Sequence, residues 1–149
     1  MPITIRSPET EEELQQYYHL RWQLLRAPWG EPEGSEKDAL EQQSHHFIAV
    51  SDNQMNSSGI VGVARLQFNN QEEAQIRYMA VVPAFRRMGV GRTLIDALEQ
   101  QAQVNGCRQI MLNARENAVA FYRALGYRTE GRSYLLFGTI QHYKMTKRI

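Results

Sequence analysis

Two rhythms of apolar and polar positions run along the chain. Leu14, Tyr17, Tyr18, Arg21 and Leu25 recur at helical spacing, and Val90, Leu94, Leu98 and Ala102 form one ridge of a helix over 89–104. A third helix is predicted over 116–125, with Gly126 as its C-terminal cap. Elsewhere the period shortens to two. Ala74, Ile76, Tyr78 and Ala80 alternate with Gln75, Arg77, Met79 and Val81, which predicts a strand over 74–82 after two others at 46–50 and 60–68. Thr10 and Glu13 form a capping box ahead of the first helix, whose acidic first turn suits its dipole and which must end before Pro28. A loop over 27–34 leads to a shorter helix near 35–43. Strands at 3–6, 109–113, 127–131 and 139–147 complete the reading.

The predicted order is β-α-α-β-β-β-α-β-α-β-β. It implies the α/β class, a mixed central sheet with helices on both faces. A doubly wound dinucleotide fold would need regular βαβ alternation, and three successive strands argue against it. The polar run 51–59 between two apolar segments reads as a hairpin loop rather than a domain boundary.

Composition narrows the partners. A length of 149 residues fits one domain over 1–149, and a formal net charge of +1 gives no sequence-wide case for nucleic acid or an anionic membrane. Met1-Pro2-Ile3-Thr4-Ile5-Arg6 lacks the apolar stretch of a signal peptide, and no run is long enough to span a bilayer. With a single cysteine, the expected location is cytoplasmic. No His, Cys or carboxylate cluster has metal-ligand spacing, and Cys107 reads as a small buried hydrophobe.

The most informative stretch is Met79-Ala80-Val81-Val82-Pro83-Ala84-Phe85-Arg86-Arg87-Met88-Gly89-Val90-Gly91-Arg92. A buried strand runs into Pro83, which stops ladder pairing. Two glycines then permit a tight turn into a helix, so that several backbone N–H groups can face one anion. Arg86, Arg87 and Arg92 add charge and bidentate donors suited to phosphate. The dinucleotide fingerprint fails because Leu94 stands where a third glycine belongs, and the Gly-Lys-Ser/Thr ending of an NTPase loop is absent.

This run resembles the acetyl-CoA signature R-x-x-G-x-G of the GCN5-related N-acetyltransferase (GNAT) superfamily. Asn117-Ala118-Val119-Ala120-Phe121-Tyr122-Arg123-Ala124-Leu125-Gly126-Tyr127 resembles its second signature, A-x-x-F-Y-x-x-x-G-F/Y. The segment Trp29–Glu36 and the run Ile76–Val81 are also similar to the acyltransferase half of acyltransferase–thioesterase fusion proteins. The resemblance implies a GNAT-like, mostly antiparallel central sheet and acetyl-CoA as co-substrate. It further implies that an amine attacks the thioester directly. By position, the Met79 backbone N–H would polarise the thioester carbonyl, and Val81 would pair with the pantetheine arm. Ala80, Met88 and Val90 complete the implied binding segment, with Phe121 and Tyr122 from the second signature. Tyr122 matches the tyrosine that donates a proton to the departing thiolate. From spacing alone, however, Ala118, Phe121 and Leu125 form the core stripe of that helix and Tyr122 lies at its edge.

Two departures from the family pattern stand out. Arg115 replaces an asparagine seven residues before the tyrosine, where Asn113 or Asn117 could substitute. Gln75 replaces a glutamate base on the central strand. Candidates for the base are Glu72, Glu73, Glu31, Glu33, His45, His46 and His142. Arg77, Gln75 and Glu33 are the expected substrate residues. The Trp29-Gly30-Glu31-Pro32-Glu33-Gly34 loop is either a substrate wall or a connector. The expected partner is a small-molecule amine or an acyl-thioester substrate, with a homodimer as one possible assembly. The alternative activity is a lyase or hydrolase acting on an acyl thioester such as malonyl-CoA, for which Arg77 would seat the acyl carboxylate.

Overall fold

The computed structural model describes residues 2–51 and 59–149. Seven strands form one sheet in the order β1-β2-β3-β4-β5-β7-β6. They are β1 (Ile3–Arg6), β2 (His45–Ser51), β3 (Ile60–Phe68), β4 (Glu73–Val81), β5 (Gln109–Arg115), β6 (Arg128–Leu136) and β7 (Ile140–Arg148). Every neighbouring pair is antiparallel except β4 and β5. The helices are α1 (Glu11–Leu25), α2 (Val90–Val104) and α3 (Val119–Ala124).

Alternation along the strands gives each face its own cover. Tyr17 of α1 buries against Ile48, Ile60 and Val63 on one face. On the other, Val90, Leu94, Ile95, Leu98 and Ala102 of α2 pack on Ala49, Val61, Ala64, Leu66, Ala74 and Ile76. Removal of this apolar surface from water is what holds the layers together. Cys107 is buried in the turn after α2, as a small hydrophobe would be.

The start of α1 is capped largely as expected. The Thr10 hydroxyl accepts from the Glu13 N–H at 3.0 Å. The Glu13 carboxylate accepts from the Glu9 N–H rather than that of Thr10, and holds Arg6 through two hydrogen bonds of 2.9 and 2.6 Å. The hairpin loop read at 51–59 lies almost wholly outside the described residues. Its two ends are joined by Ser51 N–H donating to the Gly59 carbonyl at 2.9 Å.

The helix expected near 35–43 does not form; one 3-10 turn, Glu41–Gln43, stands in its place. Buried arginines claim the groups that a helix would need. The Arg21 guanidinium donates twice to the Glu36 carbonyl, at 2.9 and 2.6 Å, and the Asp38 carboxylate accepts from the Leu40 N–H at 2.8 Å. A helix would direct the Glu36 carbonyl to the N–H four residues on. The strand expected at 127–131 is longer than the sequence suggested, with β6 running to Leu136.

Candidate active site

The sheet opens at its centre. β4 and β5 pair only from Glu73 opposite Gln109 to Ile76 opposite Leu112, although β4 runs on to Val81 and β5 to Arg115. Beyond Ile76 the two strands diverge, while β5 stays paired to β7 on its other edge as far as Arg115 opposite His142. A bulge accompanies the divergence. Val63 stands opposite Ala80 and Arg65 opposite Arg77, so two residues of β4, Tyr78 and Met79, face the single Ala64. Tyr78 takes up the irregularity with a φ of 54°. Its ring sits among four guanidinium groups, those of Arg21, Arg26, Arg65 and Arg77, at 4.0 to 5.5 Å from its centre.

The bulge corrects the alternation read from the sequence. Arg77 and Gln75 stay on the α1 side, but Met79 turns to the opposite side, where it packs against the core under α2. Main-chain direction follows from the next residues. The Val82 N–H donates to the Val61 carbonyl at 2.8 Å, so in extended backbone the Val81 N–H points to the opposite edge, into the opening. Met79, two residues earlier, shares that direction.

A cleft occupies the opening. Its walls include Gln75, Arg77, Met79, Asn113, Tyr122 and His142. Tyr122 is 8% exposed, and its hydroxyl lies 3.7 Å from the Met79 sulfur. Burial pushes its pKa up to about 12, against a smaller opposing effect of Arg115. The phenol therefore keeps its proton at neutral pH. Phe121, by contrast, is 38% exposed. Ala118 and Leu125 of the stripe predicted for this helix do pack on the core, but Tyr122 takes the place expected for Phe121, because Glu116–Ala118 form a 3-10 turn that alters the rotation of the six-residue α3 behind it.

Phe121 instead reaches the start of α2. A Cβ placed on Gly91 would lie 3.0 Å from its ring and 3.4 Å from the Met79 methyl. Gly89 caps α2 with a φ of 82°, a left-handed conformation natural to glycine. No side chain caps this end, and the first backbone bond of the turn is Thr93 N–H to the Gly89 carbonyl at 3.0 Å. The N–H groups of Val90, Gly91 and Arg92 are consequently open to an anion. Arg86 bonds the Val81 carbonyl at 3.3 Å, and Arg87 and Arg92 are exposed beside it, with no carboxylate paired to any of the three among the described residues.

The base candidates separate clearly. His142 is 4% exposed, lines the cleft and stacks on Tyr134 at 4.5 Å. Its Nδ1 donates to the Ile140 carbonyl at 3.0 Å, which leaves Nε2 as the nitrogen with a free lone pair. Burial, then Arg115, Arg26 and Arg77, lower its pKa against the opposing Ile140 bond, so the ring is neutral. His46 is held elsewhere, between the Tyr17 hydroxyl at 2.8 Å and the Glu41 carbonyl at 2.7 Å. Glu73 bonds Gln109 at the closed end of the β4–β5 pair, and Glu72, Glu31 and His45 are also outside the cleft walls. Glu33 is exposed and borders a separate hollow with Tyr18, Trp22 and Lys37, so it is not brought to the cleft. Asn113 lines the cleft and Asn117 is exposed outside it.

Sequence reasoning missed two features. The first is a buried ionic layer in which Arg65 bonds Asp38 at 2.7 and 3.0 Å, Glu41 at 2.8 Å, and Gln67. Arg65 holds the Asp38 carboxyl down at about 2. Charged residues at inward strand positions were its only trace in the sequence. The second is that Arg26 and Arg115 join Arg77, the one cation expected there, at the cleft.

A family model described as the Acetyltransferase (GNAT) family matches residues 14–127. The chain belongs to this family. It is 30% identical to the uncharacterized N-acetyltransferase YjcF of Bacillus subtilis over 93% of this chain and 95% of the relative. It is 28% identical to the ribosomal protein bS18 alanine N-acetyltransferase of Escherichia coli, over 83% and 80% respectively. A crystal structure of an aminoglycoside 6'-N-acetyltransferase complexed with coenzyme A shares the fold with a TM-score of 0.78 at 16% identity, covering 99% of this chain and 97% of that one. The GNAT fold expected from the sequence is therefore the fold observed, with one helix fewer. Acetyl-CoA is the co-substrate expected of a GNAT acetyltransferase, and the residues of this chain fit that molecule. An uncapped helix start ringed by arginines suits the diphosphate, and an unpaired strand edge suits the pantetheine amides. No helix among the described residues is long and apolar enough to cross a membrane, and no group of three or more His, Cys, Asp or Glu there is placed to hold a metal.

Proposed function

We propose that this acetyltransferase moves the acetyl group of acetyl-CoA to an acceptor amine by direct attack, in the opening between β4 and β5. The observation that carries the reading is the convergence at that opening of an unpaired strand edge, the buried Tyr122 hydroxyl and the neutral His142 ring. Bound acetyl-CoA would supply an activated thioester. The N–H groups of Val90, Gly91 and Arg92 would hold its diphosphate, with Arg86, Arg87 and Arg92 adding charge. Val81 would pair main chain to main chain with the pantetheine arm, and Asn113 offers a further polar contact from the facing strand. The Met79 N–H would stabilise the developing oxyanion. Tyr122 would give its proton to the departing thiolate, and His142 Nε2 would take the proton of the attacking amine. Gln75 cannot act as that base. Its side-chain oxygen accepts from Gln67 at 3.4 Å on the cleft wall.

The lyase or hydrolase alternative gains no support from the relatives, whose names are those of N-acetyltransferases. CoA release measured with acetyl-CoA and with malonyl-CoA, each with and without a panel of amines, separates the two. Release that requires both acetyl-CoA and an amine is expected. Amine-independent breakdown of malonyl-CoA, with no response to amines, would overturn the proposal.

A further inference from the structure

Among the described residues no carboxylate lines the cleft, whereas three arginines do. They are not equivalent. Arg77 already donates to the Asp38 carboxylate at 3.2 Å. Arg26 donates only to main chain, to the Ser35 carbonyl at 3.2 Å and the Leu25 carbonyl at 2.9 Å. Arg115 is half-buried, and its guanidinium makes neither a hydrogen bond nor an ion pair with any described residue. Its guanidinium lies 4.4 Å over the ring of Trp29. The Arg26 guanidinium lies 5.5 Å from the ring centre of Phe137, and the Trp29 and Phe137 rings are themselves 6.2 Å apart. Two guanidinium groups that line the cleft thus flank one aromatic pair, and both lack a carboxylate partner among the described residues. Like charge is held close here without compensation from the protein, and half-burial strengthens the repulsion. Such a pair favours a ligand that brings the missing anion.

We infer that Arg115 and Arg26 form an anion subsite of the acceptor, so that the preferred substrate is a small amine that also carries a carboxylate. The inference rests on the proposed amine acetylation and names its substrate class. It moves the anion contact expected at Arg77 to a guanidinium that is free to make it. Neutral His142 beside these cations fits the same picture. The arginines that favour its unprotonated ring would also hold the acceptor whose amine it serves.

The test uses a series of ω-amino acids of increasing chain length and the matching ω-amino carboxamides, compared at equal concentration of free amine because the shortest amides are the less basic. Acetylation is followed at saturating acetyl-CoA. Binding of the same compounds to the protein saturated with CoA is measured by calorimetry, so that the subsite is read even where no transfer occurs. At the best chain length the carboxylate should be preferred over its amide by about ten-fold or more in both readouts, the scale of a charged hydrogen-bonded contact. Arg115→Gln should reduce that preference to about two-fold or less, and Arg115→Lys should restore part of it. The affinity for acetyl-CoA should be unchanged in both variants. Carboxylate-selective binding without any transfer would refute the proposed reaction and leave the subsite standing. Equal use of acid and amide, preference for spermidine, or an Arg115→Gln variant that loses acetyl-CoA affinity while keeping acid selectivity would overturn the subsite.

Discussion

Three side chains carry most of the chemical argument, and their environments assign them different tasks. Tyr122 and His142 line one cleft, yet burial drives them in opposite directions on the pH scale. It raises the phenol to about 12 and lowers the imidazole, and each stays uncharged at neutral pH. One is set to give a proton and the other to receive one. Tyr122→Phe removes only the hydroxyl and should lower kcat by about 10²-fold with little change in acetyl-CoA affinity. His142→Gln should lower kcat on a similar scale and remove one limb of the pH profile. Because only the neutral ring accepts a proton, activity should rise with pH through a pKa below the ordinary histidine value. Arg115, Arg26 and Arg77 face that ring and Tyr134 stacks on it, so the limb reports their field as well. An unchanged profile in His142→Gln would return this histidine to a packing role. Tyr122 was legible in the sequence through its motif. Its burial was not, because a helical stripe drawn through Phe121 ignored the 3-10 turn that precedes α3. Arg115 was visible as a departure from the family pattern, but its lack of a partner is a fact of three dimensions.

At the scale of elements, the bulge in β4 and the start of α2 build the site. Both lie in segments whose strand and helix character the sequence announced. The bulge escaped notice because Gln75, Arg77 and Met79 alternate as regular strand residues do, and nothing local marks Tyr78 for a positive φ. The missing helix near 35–43 has a related cause. Its polar groups answer to Arg21 and Arg65, which are remote in sequence and buried. The loop into α2 was read correctly from its glycines, although the two differ. Gly89 supplies a left-handed turn with open space around it, whereas Gly91 permits the approach of Phe121. Gly89→Val should therefore fold with a backbone penalty of roughly 1–2 kcal/mol and lose acetyl-CoA binding. In wild type, acetyl-CoA at 100 times its dissociation constant should add about 2.7 kcal/mol, or roughly 5–10 °C in Tm. A Gly89→Val protein with the same ligand-induced shift would remove the loop from the binding account. Gly91→Val would disturb packing as well as binding, which makes it the less informative change.

The molecule as a whole places its charges with an uneven hand. The net charge of +1 concealed both a buried ionic layer under α1 and a cleft whose charged lining, among the described residues, is arginine alone. This layout predicts how stability responds to acid. His46 and His142 have pKa values lowered chiefly by burial, so the unfolded chain binds protons at a pH where the folded one does not. Their contribution is complete above the unfolded value of about 6.5 and is lost as pH falls through the lowered folded values. Asp38, held at about 2 mainly by its hydrogen bonds to Arg65, adds a second loss as pH falls below about 4. Thermal unfolding should accordingly show Tm level near pH 7–8 and declining in two stages below about 6.5. A Tm that stays constant down to about pH 5 would show that neither histidine is held neutral by the fold.

The most direct test of the central claim is the mass of the acceptor after incubation with acetyl-CoA. Wild-type protein should add one acetyl group to the nitrogen of an amine in a carboxylate-bearing panel, releasing one CoA for each product formed. Tyr122→Phe should form the same product about 10²-fold more slowly. CoA release from acetyl-CoA without an acetylated amine, or equal rates for the two proteins, would contradict the account.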